Sequence, residues 1–302
     1  MPKLSVIIAT YNRAGQLSVA LESLVSQTAP ASQWECIVVD NNSTDNTRQT
    51  VESFIADHPS LNISVVTETS QGLSYARNRG IAESKGECIA IIDDDEYVNP
   101  QFIEAYIALF DNHPEYEAAG GRVIAQYPSG VRPEPVSPYI ERALANPMHF
   151  GPDVREFPAG KIPAGGNMAF RRDTLLRFGS FETSLGRTGK QLTGGEESDL
   201  FERMKNAGIK FIYVPDAIIW HVIPQSKLTL DYLRRLAFGT GRSQRRRAEL
   251  HGRLCRLYAA ECIKWCATLL FAVWYLVTLH PSRAKWLLVM RYNISRGIIK
   301  KE

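Results

Sequence analysis

The apolar positions of the first hundred residues fall in short blocks separated by polar stretches with helical spacing. Leu4-Ser-Val-Ile-Ile-Ala-Thr10 is a β-branched apolar run, the pattern of a strand buried on both faces. Residues 15–27 then place Leu17, Ala20, Leu21, Leu24 and Val25 at helical spacing. Cys36-Ile-Val-Val-Asp40 predicts a second strand ending in the polar cluster Asn41-Asn-Ser-Thr-Asp45, whose cap-type residues precede a helix to about Ile55. Ile63 to Val66 predicts a third strand and Gly72 to Glu83 a third helix. Cys88-Ile-Ala-Ile-Ile92 predicts a fourth strand, running into Asp93-Asp-Asp-Glu96. Four strand–helix units in series predict an α/β fold with a doubly wound, Rossmann-like, mostly parallel central sheet flanked by helices. Ligands of such sheets sit at the carboxyl ends of the strands.

After a helix around Pro100 to Phe110 the texture changes. Residues 127–165 hold many of the 16 prolines and no clear periodicity, which predicts a long, irregular excursion. Strand character resumes over Ala164–Phe170, a helix is predicted over Ser198–Ala207, and a short strand over Ile209–Val214. From about residue 228 the chain reads as helical and basic. Lys227 to the end holds 16 Lys/Arg against four acids, a charge of +12, while the rest of the chain carries −9. A basic tail behind an acidic body points the tail toward something anionic. Within it, Cys266 to Leu279 is fourteen residues without a charge, short of the roughly 20 needed to span a bilayer. An interfacial or re-entrant helix fits that length, with Trp265, Trp274, Tyr275 and Trp286 as interface aromatics. A helical hairpin packed on the body, or on a second copy in a homo-oligomer, fits equally well. The division expected is a body of residues 1–225, split near residue 98, and a helical C-terminal extension over 226–302.

Composition excludes little beyond disorder and fibrous classes. The five Cys form no CxxC pair, and Cys36 and Cys88 read as small buried hydrophobes. The first residues run directly into a strand pattern without a signal peptide, so a reducing, cytoplasmic setting is expected.

The sharpest chemical feature is Asp93-Asp94-Asp95. Adjacent carboxylates at the mouth of a buried strand repel each other unless a cation sits among them. Mg²⁺ or Mn²⁺ takes carboxylate and phosphate oxygens and reaches proteins through one or two carboxylates. Asp40 ends the neighbouring strand, and Thr10-Tyr11-Asn12 ends the first, so these residues line one crevice suited to a nucleotide. Gly72 opens a helix that carries Arg77 a turn later, and helix terminus and guanidinium together can hold a diphosphate. Alone, such an Arg is most often a solvated surface residue. Glu196-Glu197 follows Gly194-Gly195 at a helix start, where a carboxylate can serve as a general base or merely answer the helix dipole. His221, behind a strand-like run, is structural unless it lies close to Asp95, where an imidazole could complete a metal site.

In order, the pieces Ser5-Val-Ile-Ile-Ala-Thr-Tyr-Asn-Arg13, Ile37-Val-Val-Asp-Asn-Asn-Ser-Thr-Asp45, Gly72-Leu-Ser-Tyr-Ala-Arg-Asn-Arg-Gly80 and Ile91-Ile-Asp-Asp-Asp95 resemble the family-2 glycosyltransferases of the GT-A fold. Gly165-Gly-Asn-Met-Ala-Phe170, Gly194-Gly-Glu-Glu-Ser-Asp-Leu200 and Trp220-His221 complete the resemblance, over about residues 3–225. It implies an inverting transfer from a nucleoside-diphosphate sugar, a UDP-sugar favoured, to the hydroxyl of a glycan or lipid-linked acceptor in polysaccharide or glycoconjugate synthesis. Asp40 would meet the base, with Thr10, Tyr11, Asn12, Arg13, Asn42 and Gly72 nearby. Asp93 and Asp95 match an Asp-x-Asp motif binding ribose and metal-diphosphate. Arg77, Asp94, Gly166 and Asn167 would join the donor site, and His221 the metal. Glu197 stands where the family carries an Asp as catalytic base; the pair here is Glu-Glu, which keeps Glu196 a candidate.

The resemblance makes residues 1–98 the nucleotide-binding half and 99–225 the acceptor-side half, with the extension at the cytoplasmic face of the membrane. Two competing readings remain. A nucleotidyltransferase would show a Gly-rich phosphate loop with a basic residue after the first strand, of which Ala9-Thr-Tyr-Asn-Arg-Ala-Gly15 supplies little. A non-catalytic, membrane-tethered scaffold would be expected to have lost Asp93, Asp95, Glu197 and His221. Nucleic acid is not an expected partner, because the tail's Trp and Leu content suits lipid better.

Overall fold

In the computed structural model, residues 1–189 and 191–300 are described. Lys301 and Glu302, the end of the expected extension, lie outside the described residues. The chain divides into two compact units. One comprises Met1–Ile124, Pro147–Thr183 and Glu196–Val222; the other comprises Ala125–Asn146, Ser184–Gly195 and Ile223–Glu302. The second unit therefore takes in two segments that precede residue 225.

The first unit is built on β1 (Leu4–Thr10), β2 (Trp34–Asp40), β3 (Ile63–Thr67) and β4 (Cys88–Asp93), joined by helices α1 (Ala14–Val25), α2 (Thr47–Asp57) and α3 (Leu73–Glu83). Every residue of β1 and β2 is buried, as expected of a sheet covered on both faces. Cys36 and Cys88 lie within this apolar layer, and burial pushes the Cys88 thiol up to about 12. After β5 (Glu96–Val98) and α4 (Phe102–Asn112) come β6 (Ala118–Gln126), α5 (Pro138–Leu144), β7 (Arg155–Glu156) and β8 (Met168–Arg171). They are followed by α6 (Arg172–Phe178), α7 (Glu196–Asn206) and β9 (Phe211–Val222).

The sheet order is β3-β2-β1-β4-β8-β6-β9-β5, with β7 on β9. The β1–β2, β1–β4 and β2–β3 pairs are parallel, whereas β4–β8, β6–β8, β5–β9 and β7–β9 are antiparallel. A parallel half is thus extended by an antiparallel one. Two expectations change in detail. The runs expected at 209–214 and 217–220 merge into one strand, β9, which starts at Phe211, because Pro215 and Asp216 interrupt the apolar pattern without ending the strand. Within the proline-rich excursion lies α5, opened by Ser137, whose Oγ accepts from the Ile140 amide, with Pro138 in the first turn.

The second unit holds α8 (Leu230–Leu250), α9 (Leu254–Val277) and α10 (Pro281–Ile299). Leu233, Ala237, Trp286, Met290, Ile294 and Ile298 form its core with Val136 and Ile140 of the α5 segment. Gly241 and Gly297 let α8 and α10 approach closely: a Cβ on Gly241 would lie 2.1 Å from the Ile294 carbonyl oxygen.

Candidate active site

Strand register brings the first polar residues together. Thr10 pairs with Asp40 and Ala9 with Asp93, so β1, β2 and β4 end on one line at the carboxyl edge of the parallel half. Beyond that edge the chain turns sharply. Asn12 and Asn42 both have positive φ, 53° and 62°, a conformation Asn tolerates better than most residues. Their side chains fix the loops: Asn12 Oδ1 accepts from the Thr44 amide at 2.6 Å, and Asn42 Nδ2 donates to the Thr69 carbonyl at 2.6 Å. Asp40 accepts from the Ser43 amide at 3.0 Å, and Tyr11, next to Asn12 in sequence, is half-buried. Asn41, which sequence reasoning did not single out, ties this loop to the start of α3. Its Nδ2 donates to the Glu68 and Ser70 carbonyls, and its Oδ1 accepts from the Gly72 amide at 2.7 Å. Gly72 has φ 147°, a backbone conformation that side chains disfavour.

The four consecutive acids end in four different environments. Asp93 is half-buried and accepts from Arg77 Nη2 at 2.8 Å. Asp94 is buried against Thr10 Oγ1 (2.9 Å) and Arg13 Nη1 (2.8 Å). Asp95 shares the same Arg13 nitrogen at 3.1 Å, and its Oδ1 lies 3.8 Å from His221 Nε2. Glu96, paired with His221 across β5–β9, accepts from the Asp93 amide at 3.0 Å and lies 3.6 Å from His221 Nδ1. Burial, with the charges of Asp95 and Asp93, pushes the Asp94 carboxyl up to about 6 despite Arg13. Burial and the same neighbours hold Glu96 well above the usual carboxylate range. Glu96 was visible in the sequence only as the fourth acid of the run; its inward orientation follows from the β5–β9 pairing.

Arg77 stands differently from its expected place. Instead of facing an open diphosphate site it is 2% exposed. Its guanidinium bridges Asp93, Glu196 Oε1 (3.0 Å) and the Gly165 carbonyl (3.2 Å), above the Phe181 ring. The neighbouring carboxylates outweigh the burial penalty and keep it charged. Asn167 also turns inward. It donates to the Arg122 and Ala217 carbonyls at 3.0 Å and accepts from Tyr106, so its amide is consumed in joining β6, β9 and α4. Gly166 is packed on Glu96, where a Cβ would come within 2.1 Å of Oε2.

Glu196 and Glu197 begin α7 and differ sharply. Glu196 is 3% exposed and locked on Arg77; burial, with the Glu197 charge, pushes its carboxyl up to about 8. Glu197 is half-buried beside Gly165, where a Cβ would meet its Cδ and the Arg77 Nη2 at 3.6 Å each. Among the described residues, no three His, Cys, Asp or Glu side chains are gathered closely enough to hold a metal alone. The donor set nonetheless fits a hard cation bound jointly with a diphosphate. Three consecutive aspartates face two guanidiniums, one of them shared with Glu196, and His221 lies beside Asp95 and Glu96.

Residues 5–178 match the family model described as glycosyl transferase family 2, so the chain belongs to that family. It is 28% identical over 249 residues to the glucosyl-dolichyl phosphate glucuronosyltransferase of Haloferax volcanii, covering 80% of this chain and 76% of that protein. A mannosyltransferase from Pyrobaculum calidifontis, solved with GDP-Man and Mn²⁺, superposes with a TM-score of 0.64 at 20% identity over all of this chain and 88% of that one. Staphylococcus aureus TarS, solved with UDP-GlcNAc, superposes at 0.54 and 20% identity over 78% of this chain and 65% of that one. The fold is that of the GT-A glycosyltransferases, and the protein is a glycosyltransferase.

Proposed function

We propose that this enzyme transfers one sugar, with inversion, from a nucleoside-diphosphate sugar to the hydroxyl of a glycan or lipid-linked acceptor. The observation that carries this reading is the junction at Gly165, which packs against both Glu197 of α7 and the Arg77 guanidinium that holds Asp93 of β4. A base and a donor-side carboxylate are thereby held in one rigid frame. In this reading residues 1–225 form the catalytic body, and the base, ribose and diphosphate lie along Thr10, Tyr11, Asn12, Asp40, Asn42 and Gly72. Arg13 is the guanidinium best placed to move onto a phosphate, since its side chain is 31% exposed and answers Asp94 and Asp95 at their edge. Asp93, Asp95 and His221 would hold Mn²⁺ or Mg²⁺, which supplies charge neutralisation at the leaving diphosphate.

The residues themselves divide the remaining work. Glu197 takes the proton of the acceptor hydroxyl as that oxygen attacks the anomeric carbon from the face opposite the diphosphate. Glu196 is unsuited to that role, because a carboxyl that retains its proton to about pH 8 accepts none at neutral pH, and it is locked on Arg77. Glu196 and Arg77 position the base and Asp93. Asn167, Gly166 and Glu96 fix the floor beneath them. A UDP-sugar is favoured as donor by the family resemblance, while the mannosyltransferase neighbour was solved with GDP-Man. The cytoplasmic face of a membrane suits a lipid-linked acceptor of the type named for the Haloferax volcanii relative.

Calorimetric titration with UDP, GDP and dTDP, each with and without Mn²⁺, tests the assignment on wild type and Asp95→Ala. Manganese-dependent binding of one nucleotide, lost in the variant, is the expected result. Binding that is indifferent to Mn²⁺ would remove the metal from the proposal, and folded protein that binds no nucleotide would sink the site.

A further inference from the structure

In the second unit, α9 is turned inside out. The side it presents to its neighbours is a stripe of polar and small residues: Glu261, Thr268 and Ala272 are buried, and Lys264 half-buried. Arg291 of α10 donates to Glu261 at 3.1 Å and to Thr268 Oγ1 at 3.2 Å, and Trp265 Nε1 donates to Ser295 Oγ at 2.8 Å. The opposite side is apolar and bare. Leu270 is 74% exposed, Val277 73%, Ile263 71% and Trp274 61%, with Phe271 and Val273 close behind. A face of that size left to water is unfavourable, and isolated apolar side chains do not explain a continuous helical surface.

We propose that this face of α9 lies in the interfacial layer of an anionic lipid bilayer, parallel to the membrane plane. Charge selects lipid over an apolar protein surface. The face is flanked by exposed Arg246, Arg253, Arg256 and Lys300 near one end of α9 and by Lys285 near the other. The only acids from residue 246 to 300 are Glu249 and Glu261, and both are ion-paired within the unit, to Arg245 and Arg291. Basic groups at both ends of a helix, with aromatics along it, match a headgroup layer above acyl chains.

The geometry also argues for lying in the surface rather than crossing it. By length and composition α9 is the one helix among the described residues able to cross a membrane. Within the helix, however, the charge-free run Trp265–Val277 is thirteen residues and covers only about 20 Å against roughly 30 Å of hydrocarbon. Pairing of residue 261 with 295 and of 268 with 291 makes α10 antiparallel to α9. A spanning α9 would draw α10 with it, and α10 carries Arg283, Lys285, Arg291 and Arg296.

The native thiols provide the test. Cys255, Cys262 and Cys266 are exposed on α9, whereas Cys36 and Cys88 are buried. A membrane-impermeant maleimide is reacted with the full chain, alone and with phosphatidylcholine vesicles containing or lacking phosphatidylglycerol. Anionic vesicles should slow labelling of Cys266 at least about tenfold and co-sediment the protein, and neutral vesicles should do so far less. Neutralising Arg256→Gln and Lys285→Gln should each weaken vesicle binding about fivefold. Leu270→Glu with Trp274→Glu, both at exposed positions, should abolish binding while nucleotide affinity stays at the wild-type value. Unchanged labelling and no co-sedimentation with anionic vesicles would overturn the proposal. So would protection that rises with protein concentration in the absence of lipid, which would assign the face to a second copy of the chain. Because nucleotide binding is read separately, neither result bears on the transferase reading.

Discussion

Each unit buries an arginine among carboxylates, and the two clusters are balanced differently. In the second unit Arg291 meets one acid, Glu261, and the remaining valences are answered by Thr268, Tyr139 and Ser295. In the first unit Arg77 serves Asp93, Glu196 and a carbonyl, its Nε has no partner among the described residues, and Glu197, Asp94, Asp95 and Glu96 stand nearby. A matched buried pair is neutral overall and fixes the register of two helices. An acid-rich cluster leaves charge for a cation or a proton to answer, and it lies where the strands end. The contrast teaches that a buried ion pair by itself says little about function; the stoichiometry of the charges around it says more.

The largest effect that would sharpen this contrast comes from Glu197→Gln. Loss of the base should lower transfer by about 10²–10⁴-fold with nucleotide affinity unchanged, whereas Glu196→Gln should retain most activity. Equal losses in the two variants, measured by product formation, would return the base assignment to the pair. Next come Arg77→Met and Arg291→Met. Arg291→Met strands the buried Glu261 carboxylate and should cost about 3–5 kcal/mol in urea unfolding. Arg77→Met, which leaves half-buried Asp93 beside a protonated Glu196, should cost less. Only Arg77→Met should also depress transfer in protein that remains folded. Adding Glu261→Gln to Arg291→Met should recover most of the stability, because the remaining groups are then neutral. Gly166→Ala should cost about 1–3 kcal/mol, since its methyl collides with Glu96, and should reduce transfer with it.

The smallest effect is one of pH. Glu196 has a folded pKa of about 8, above the ordinary carboxylate value. The folded state therefore binds the proton more tightly than the unfolded chain, and the group's contribution to stability falls as pH rises from about 4.5 to 8. Denaturation midpoints of wild type should decline over that window relative to Glu196→Gln. A parallel course of the two proteins would show that Arg77 keeps Glu196 ionised.

Much of the site was legible along the chain, because the rules that place it are local. Apolar runs of strand length ending in Thr10, Asp40 and Asp93 put three polar residues at three strand mouths before any pairing is known, since the side chain that follows a buried strand must leave the core. The order of motifs, the acidic run and the Glu-Glu pair were equally open to reading. Tertiary structure alone decided which charges face each other. Arg13 meets Asp94 across 81 residues and Arg77 meets Glu196 across 119, separations that no periodicity encodes. It also turned Asn167 inward, gave Glu96 its place beside His221, and joined an antiparallel half to the parallel one. On α9 the composition announced an apolar helix, but only its packing on Arg291 showed which side remains bare. Helical period and strand burial are properties of neighbours in sequence; a balanced or unbalanced set of buried charges is a property of neighbours in space.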